Sequence, residues 1–372
     1  MFSRRFFLKS MGVLASGIAL SNGSHARESS SEITLSMPDE SAPHERTWMA
    51  FVANDYVWSR RQIPEVKRNL IDIARTIAKY EPVSMLVSSY DIDEATELLG
   101  NVTELNHKVE LIEFDVDDLW LRDTGPTFVK GSDGQKYAID FNFNGWGNKQ
   151  DHELDAQVAG FIAKQSGAIA EESSLVLEGG CFEVDGDGTA IMTRSCIVND
   201  NRNPGVSEQA IEGELKELLG LKKIIWLDGI KGKDITDGHT DFYARFIKPG
   251  QVLVSRDNYR ESYDYDITRE NIEVLQNSID AQSRKLDLVI IDTPDIIDER
   301  FGADDFAAGY IGYYVCNGAV IAQKFGDKTA DNNARSILEE AFPDRVIEQI
   351  AIDGIASGGG SIHCATQQEI KL

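Results

Sequence analysis

Near the C-terminal end of the 372-residue sequence, three consecutive glycines precede a histidine and a cysteine in the segment SGGGSIHCATQQ, residues 357–368. Glycine adopts backbone conformations that other residues avoid, and it lets a ligand approach the chain closely. A nucleophilic cysteine benefits from such a turn, because its thiol has to project into a cleft whose surroundings favour the thiolate. The segment therefore favours Cys364 as a nucleophile, with an inert, buried cysteine in a glycine-rich loop as the alternative.

Further segments supply acids and an imidazole where a strand begins or ends. Asp123 precedes Gly-Pro in WLRDTGP, and Glu178 follows an apolar strand in LEGG. In TDGHTD, His239 and Asp241 are two positions apart, so their side chains would share one face of a strand. A turn residue, an exposed strand end and a capping histidine are the structural alternatives for these side chains. The polar segment NDNRNP, residues 199–204, predicts a loop at the rim of a cleft or a solvated turn.

A thiol, an imidazole and three carboxylates together suit the chemistry of a guanidinium group. A guanidinium is flat, cationic and weakly electrophilic, and carboxylates can hold its N–H groups in a bidentate fashion that fixes its plane. The bound cation would lower the pKa of a neighbouring thiol and so favour the thiolate only when substrate is present. An imidazole could then protonate departing ammonia and activate a water molecule. The segments therefore predict attack of a thiolate on a guanidinium carbon.

Strands alternate with helices along most of the chain, which is typical of an α/β fold. Short apolar runs predict strands, and a 3.6-residue apolar period predicts helices. A unit of paired strands, a helix and another strand recurs about five times at a spacing of roughly 60–70 residues, which indicates modules around a centre instead of one open sheet. The predicted helices cover residues 63–80, 91–99, 154–166, 207–219, 271–282 and 329–341, and the predicted strands cover residues 47–51, 83–87, 109–114, 137–141, 174–177, 181–184, 190–193, 223–227, 242–247, 251–255, 287–291, 310–315, 319–322 and 346–351.

The composition limits the kinds of partner. A formal net charge of −25 argues against nucleic-acid binding and against anionic membrane surfaces, and it favours the approach of a small cation. Solubility alone is the other explanation for the acidic surface. The four cysteines, Cys181, Cys196, Cys316 and Cys364, show no metal-ligand spacing, which argues against a zinc site. The first three lie in apolar runs and are interpreted as core residues.

The N-terminus has the pattern of a twin-arginine signal peptide. The segment SRRFFLK at residues 3–9 is followed by an apolar stretch that is too short to span a bilayer and by small residues before position 26. This order predicts export of the folded protein to the periplasm or the exterior, with no other membrane association. The predicted organisation is a signal peptide over 1–26, a linker over 27–36 and a catalytic domain over 37–370.

With these segments in order, the sequence resembles the agmatine deiminases, in the guanidine-modifying group that includes bacterial peptidylarginine deiminases. The resemblance extends over residues 37–368. The motifs that carry it are WLRDTGP, DFNFNGWG (residues 140–147), EGG, NRNP, TDGHTD and GGGSIHCATQQ. Several independent motifs in the same order are more specific than any single one.

The resemblance implies a five-module, pseudo-symmetric α/β propeller of the pentein type, without a metal or an organic cofactor. It implies that Cys364 forms a covalent amidino-thioether and that His239 is the general acid and base. Asp123 and Asp241 would hold the guanidinium, and Glu178 would bind it and assist proton transfer. Agmatine, a small cationic guanidino compound, would then yield N-carbamoylputrescine and ammonia. The resemblance also implies that the indole of Trp120 forms a wall of the pocket.

Four positions depart from the family pattern: Arg194, Thr240, Phe242 and Arg256. An arginine that reached the tail of the substrate would repel the ammonium of agmatine and favour a carboxylate. An exported deiminase of free or peptidyl arginine is therefore an alternative to an agmatine deiminase. A periplasmic protein that binds guanidino or polyamine cations without turnover is another. Whether the chain forms a homo-oligomer is left open by the sequence.

Overall fold

A computed structural model describes residues 33–298, 300 and 306–372 of the chain. The predicted signal peptide over 1–26 and most of the predicted linker over 27–36 lie outside these residues. Leu35–Ser36, at the end of that linker, forms a strand that pairs with Gly131 and Lys130, so ordered structure begins before the predicted boundary at Met37. No helix in the described ranges combines the length and the apolar character needed to cross a membrane.

The described strands form five small sheets, each containing an antiparallel pair and a neighbouring parallel strand. This organisation confirms the five repeated α/β units, whereas their circular arrangement stays a prediction. In spatial order, the strands are Gln367–Ile370, His44–Phe51, Val83–Val87 and Val109–Glu113 in sheet A; Leu35–Ser36, Thr127–Gly131, Lys136–Asp140 and Ile169–Glu172 in sheet B; Phe182–Val184, Thr189–Thr193 and Lys223–Leu227 in sheet C; Ala244–Lys248, Gln251–Arg256 and Asp287–Asp292 in sheet D; and Tyr314–Cys316, Ala319–Lys324 and Val346–Ala351 in sheet E.

A helix connects each pair of parallel strands, because parallel neighbours require a crossover connection. The first of these helices buries Val66, Leu70, Ile73 and Ile77, the apolar positions from which it was predicted. The side chain of Ser207 accepts a hydrogen bond from the Ala210 N–H and so caps the N-terminus of the helix Glu208–Leu219. The crossover helices are Ile63–Ile77, Ile92–Leu99, Val158–Ser166, Glu208–Leu219, Asp264–Gln276 and Lys328–Ala341.

Short helical turns lie in several of the loops between these elements, and some of the turns carry the chemical motifs. Asp123 lies in the turn Leu121–Thr124, and Asp241 lies in the turn Thr240–Phe242. Glu178 directly precedes the turn Gly179–Cys181. The other turns are Gly145–Asn148, Asp155–Gln157, Arg194–Ile197 and Asp353–Ala356.

Three sequence predictions of elements are wrong. The strand expected over 310–315 is Tyr314–Cys316, so only its last two residues were placed correctly. Residues 174–177 are irregular, and the adjacent strand is Ile169–Glu172, whose largely exposed residues lack an apolar pattern. The apolar Leu175 and Leu177, which suggested a strand, are buried by packing of the irregular segment into the core. The helix expected over 271–282 spans Asp264–Gln276 instead, because its polar first turns gave no apolar signal.

The C-terminal strand closes the first sheet. Gln367–Ile370 pairs antiparallel with His44–Phe51, with Gln367 opposite Trp48. The chain thus returns to the sheet that contains its first long strand. Because Cys364 lies three residues before this C-terminal strand, the pairing fixes the segment that carries the thiol.

Candidate active site

The main cavity of the described structure has a volume of about 1060 Å³. The segments that line the cavity come from several modules, so no single stretch of the sequence could form it. Five residues that the sequence analysis named line the cavity: Trp120, Asp123, His239, Phe242 and Cys364. Trp146, from the motif DFNFNGWG, and the three glycines of residues 358–360 complete this part of the lining.

Cys364 lies in the loop between the turn Asp353–Ala356 and the C-terminal strand, and its side chain is buried beside the cavity. Its Sγ is 3.2 Å from the hydroxyl oxygen of Ser361 and 3.8 Å from Oδ2 of Asp241. Burial raises the pKa of the Cys364 thiol well above its usual value, and the carboxylates of Asp241 and Asp123 raise it further. The thiol is therefore protonated until a positive charge enters the site.

A carboxylate lies near each ring nitrogen of His239. Its Nε2 lies 3.2 Å from Oε2 of Glu178, and its Nδ1 lies 3.8 Å from Oδ1 of Asp123. Burial alone would lower the pKa of His239, but the two carboxylates outweigh it and raise the pKa to about 10. At neutral pH, His239 is therefore an imidazolium that can give up a proton.

Arg202 fixes the carboxylate of Glu178. The guanidinium Nε donates to both Glu178 oxygens, at 2.8 Å and 3.0 Å, and Nη1 lies 2.8 Å from Oδ2 of Asp237. Although burial raises the pKa of Glu178, Arg202 and His239 outweigh this effect and lower it to about 2. The segment NDNRNP forms a turn in which Asp200 and Pro204 are exposed, whereas Asn199, Arg202 and Asn203 are buried. None of its residues lines the cavity, so the segment supports the site and does not form its rim.

Asp123 has no such guanidinium partner. Trp146 donates its indole N–H to Oδ2 at 3.0 Å, and the Gly180 N–H donates to Oδ1 at 3.2 Å. Burial raises the pKa of Asp123 to about 6; His239 opposes this shift, and the charges of Glu178 and Asp241 add to it.

The remaining polar atoms converge on one small volume. A Cβ atom added to Gly180 would lie 2.5 Å from Nδ1 of His239 and 3.2 Å from Oδ1 of both Asp123 and Asp241. Within the described structure, His239 Nδ1 and Asp241 Oδ1 are buried without a hydrogen-bond partner. Unpaired buried polar atoms are costly, so this pair indicates a site built to receive a polar ligand.

Three buried side chains could in principle hold a metal ion. The ligand atoms of Glu178, Cys181 and His239 lie within 4.8 Å of one another. Both oxygens of Glu178, however, already accept from Arg202. Burial also raises the pKa of Cys181 well above its usual value, which disfavours the thiolate that metals bind. The donor set therefore fits a hydrogen-bonded ion-pair network better than a metal centre.

The unusual arginines do not line the main cavity. Arg194 pairs with Glu208 at 2.9 Å and with Asp228 at 3.0 Å. Arg256 forms a bidentate pair with Asp292, at 2.7 Å and 3.1 Å. Neither arginine therefore supports a site for a substrate carboxylate in the main cavity.

The other departures from the family pattern lie nearer the site. The hydroxyl of Thr240 donates to the Cys181 carbonyl at 2.5 Å. Phe242 contributes its ring to the cavity wall. All four cysteines lie in the described ranges as buried thiols without disulfides, and Cys181, Cys196 and Cys316 belong to the core as expected.

Sequence reasoning missed Arg202, Trp146, Glu40 and His363 as parts of the site or its support. Arg202 and Trp146 stood inside motifs that carried the resemblance, so the motifs gave a signal without assigning a role. Glu40 contacts His363 from 323 positions away, and no local pattern could have paired them.

The five α/β modules bring a thiol, an imidazole and carboxylates to one site. This combination defines the class of pentein-type proteins with a thiol site for a cation. The family model of the Porphyromonas-type peptidyl-arginine deiminases matches residues 36–369 of the sequence, and the chain belongs to this family.

Known proteins resemble the chain over nearly its full length. A Legionella pneumophila (strain Paris) protein named "Putative agmatine deiminase" is 38% identical over 337 residues, which cover 90% of this chain and 95% of that protein. The solved agmatine deiminase of Enterococcus faecalis is 29% identical with a TM-score of 0.85, covering 91% of this chain and 96% of that one. The C. jejuni agmatine deiminase with substrate bound is 25% identical with a TM-score of 0.80, covering 92% and 98%.

Proposed function

We propose that the protein hydrolyses the guanidinium group of agmatine to N-carbamoylputrescine and ammonia. The observation that carries this proposal is that His239 Nδ1, Asp123 Oδ1 and Asp241 Oδ1 all lie within 3.2 Å of one point beside Gly180, while the Cys364 Sγ lies 3.8 Å from Asp241 Oδ2. Relatives named as agmatine deiminases, similar along nearly the whole chain, support the same reaction.

Binding would precede activation of the thiol. Asp123 and the free oxygen of Asp241 would accept the guanidinium N–H groups and hold the plane of the cation. Trp120, whose side chain lines the cavity, would form its wall. The positive charge would offset the two carboxylates that raise the pKa of Cys364, and the thiol proton would leave to solvent.

The thiolate of Cys364 would then bond to the guanidinium carbon. His239 would donate its proton to one amino group, and ammonia would leave with the electron pair of its C–N bond, forming the amidino-thioether. Neutral His239 would next take a proton from water while the water oxygen bonds to the same carbon. Breaking the C–S bond would return its electron pair to Cys364, and the proton of the new oxygen would pass to solvent, which gives the ureido product. Glu178, 3.2 Å from His239 Nε2, would orient the ring throughout.

The charge of the cavity favours agmatine over arginine. Among the described residues that line it, one is a lysine, Lys149, and this lysine pairs with Asp237 at 2.8 Å. An ammonium tail would be attracted by this wall, whereas a carboxylate would be repelled. The acidic residues of the lining are Asp118, Asp123, Asp151, Glu153, Asp234, Asp257, Asp264 and Asp295.

Ammonia and ureido product should be assayed with agmatine, free arginine and an arginine peptide. We expect turnover of agmatine, with free arginine and the peptide slower by at least an order of magnitude because of the repelled carboxylate or backbone. If arginine or the peptide is turned over and agmatine is not, the protein is instead a deiminase of free or peptidyl arginine.

The variant Cys364→Ser is the matched control. It should bind agmatine with an affinity similar to that of the parent, measured by calorimetry, and should give no product. Binding without turnover by both proteins would favour a cation-binding protein. Full activity of the variant would exclude covalent catalysis.

We further propose that the protein acts outside the cytoplasm. The twin-arginine pattern, the short apolar stretch and the small residues before position 26 support export of a folded enzyme. A fold whose site needs contacts between distant segments suits a route that carries folded proteins.

A further inference from the structure

A cluster of buried charges adjoins the active site without lining the cavity. It contains three carboxylates, two guanidiniums and one histidine, and Asp241 is the member shared with the site. The other members are Glu40, Arg122, Glu183, Arg245 and His363. The proposed reaction gives these five residues no role.

His363 bridges two carboxylates. Its Nδ1 lies 2.7 Å from Oδ2 of Asp241, and its Nε2 lies 2.8 Å from Oε2 of Glu40. The residue is 1% exposed, so water does not compete for either contact. A carboxylate can only accept, and a neutral imidazole has one N–H. Both contacts are satisfied together only when both ring nitrogens donate.

The two carboxylates are ionised. Arg245 contacts Glu40 at 2.9 Å and Arg122 contacts it at 3.1 Å. Burial raises the pKa of Glu40, but Arg245, His363 and Arg122 together hold it well below its usual value. The pKa of Asp241 is likewise lowered, because its hydrogen bond with His363 outweighs burial.

The charge balance of the cluster agrees with an imidazolium. Glu183 lies 2.8 Å from Arg245 and 3.8 Å from His363. Burial raises the pKa of Glu183, and Arg245 and His363 oppose this shift. When all three carboxylates are ionised, the two guanidiniums leave one negative charge within the cluster, and a positive charge at His363 balances it. A buried charge without a counter-charge would be strongly unfavourable.

The bridge leaves the two oxygens of Asp241 in different states. Oδ2 accepts from His363, whereas Oδ1 is buried with no partner in the described structure and approaches the volume beside Gly180. We propose that His363 is a positioning residue: as an imidazolium between Glu40 and Asp241, it orients Asp241 so that Oδ1 is presented to the guanidinium. This inference rests on the proposed function, because the guanidinium is that of agmatine.

Two substitutions in the full chain separate the two contacts of His363. Asparagine places an amide N–H near the position of Nδ1, so His363→Asn keeps a donor for Asp241. Glutamine places one near Nε2, so His363→Gln keeps a donor for Glu40 alone. We expect the first variant to retain the agmatine KM within about threefold and the second to raise it roughly 10- to 100-fold, the effect of losing a hydrogen bond to a charged group. The same order is expected for the dissociation constant of agmatine in the Cys364→Ser background.

Equal losses in the two variants, or a larger loss in His363→Asn, would overturn the proposal. Glu81→Gln is the matched structural control, since Glu81 belongs to another buried histidine–carboxylate pair, 3.2 Å from His44, and does not line the cavity. It should lower the denaturation midpoint and leave the KM unchanged. A parent protein that neither binds nor converts agmatine would refute the proposed function, and that result is distinct from any ranking of the variants.

A measurement on the parent protein tests the bridge without substitution of His363 and without substrate. In protein labelled with nitrogen-15 at histidine, both ring nitrogens of His363 should give imidazolium signals at pH 7. The signals are assigned by replacing the other histidines one at a time. A neutral tautomer at this position would overturn the proposal whether or not agmatine is the substrate.

Discussion

Two carboxylates beside the same histidine have opposite electrostatic environments. Glu178 is paired with Arg202 and has its pKa lowered to about 2, whereas Asp123 receives only neutral donors and has its pKa raised to about 6. Glu178 therefore stays ionised and orients His239 at any physiological pH. Asp123 gains its full charge only above weakly acidic pH, so the cation-binding half of the site is the more sensitive to acid.

The kcat/KM for agmatine should follow a bell-shaped pH profile. Protonation of the Cys364 thiol, whose pKa lies well above its usual value in the free enzyme, should make kcat/KM fall with falling pH. Because Asp123 has a pKa of about 6 and loses its charge as the pH falls through this value, this acid limb should steepen below pH 6 by about a further tenfold per unit. Because His239 has a pKa of about 10 and loses its proton as the pH rises through that value, activity should fall there as well. Initial rates between pH 4.5 and roughly 10.5 test both limbs.

Two other acids of the cavity wall also titrate in the measured range, since Asp118 has a pKa of about 6 and Asp264 a pKa of about 7. The variants Asp118→Asn and Asp264→Asn should keep the acid limb where it is. An acid limb that moves or disappears in either variant would assign it to that residue and not to Asp123.

At the scale of elements, regular structure supports the site and short turns carry it. The crossover helices pack on the sheets, while Asp123, Asp241 and Cys364 lie in connections between strands. Substitutions in the exposed face of a helix should therefore change stability without changing the chemistry. The helix Glu208–Leu219 offers such a position at Gly213, where an added Cβ would meet no atom within 4 Å.

The variant Gly213→Ala should stabilise the protein by roughly 0.5–1 kcal/mol, because alanine loses less conformational entropy than glycine in a helix. A higher denaturant midpoint with unchanged kcat/KM is the expected result. The matched comparison is Gly220→Ala at the end of the same helix, where φ is 69° and a Cβ would lie 2.4 Å from the Leu35 carbonyl oxygen. That variant should be destabilised, and a stabilised Gly220→Ala would contradict the argument.

At the scale of the whole molecule, the site depends on two features: the pairing of the C-terminal strand with the first long strand, and the net charge of the chain. The C-terminal strand pairs with His44–Phe51, and the Arg122 side chain donates to the side-chain oxygens of Gln367 and Gln368, both at 2.7 Å. The thiol-bearing loop is thus tied to the first half of the chain on the C-terminal side of Cys364. The net charge of −25 on the whole chain favours the approach of a dication.

The proposed export is a property of the whole chain and is tested in cells. Replacing Arg4 and Arg5 together by lysine keeps the charge but removes the arginine pair. The variant should accumulate in the cytoplasmic fraction as active enzyme, whereas the parent should be recovered from the periplasm or the medium. Arg27→Lys, just beyond the predicted cleavage site, is the control and should leave export unchanged. A parent protein found in the cytoplasm would contradict the proposal.

The sequence by itself determined the properties that depend on residue type and local period. Apolar spacing predicted the helix that spans Ile63–Ile77 and the strands Val83–Val87, Lys223–Leu227 and Val346–Ala351, because burial of one face imposes a period that can be read along the chain. The recurrence of strand pair, helix and strand gave the five modules. The residue types in the motifs gave the chemistry of a thiol, an imidazole and carboxylates.

Tertiary structure alone decided which of these groups face one another and what holds them. It paired Glu178 with Arg202, placed His363 between Glu40 and Asp241, and kept Arg194 and Arg256 out of the main cavity wall. The contacts of His363 join residues 122 and 323 positions apart, and even the pairing of Glu178 with Arg202 spans 24 positions, so a local period contains no information about them. They also set which carboxylates are ionised, because the pKa of a buried acid depends on burial and on its nearest charges, both of which arise only when the chain folds.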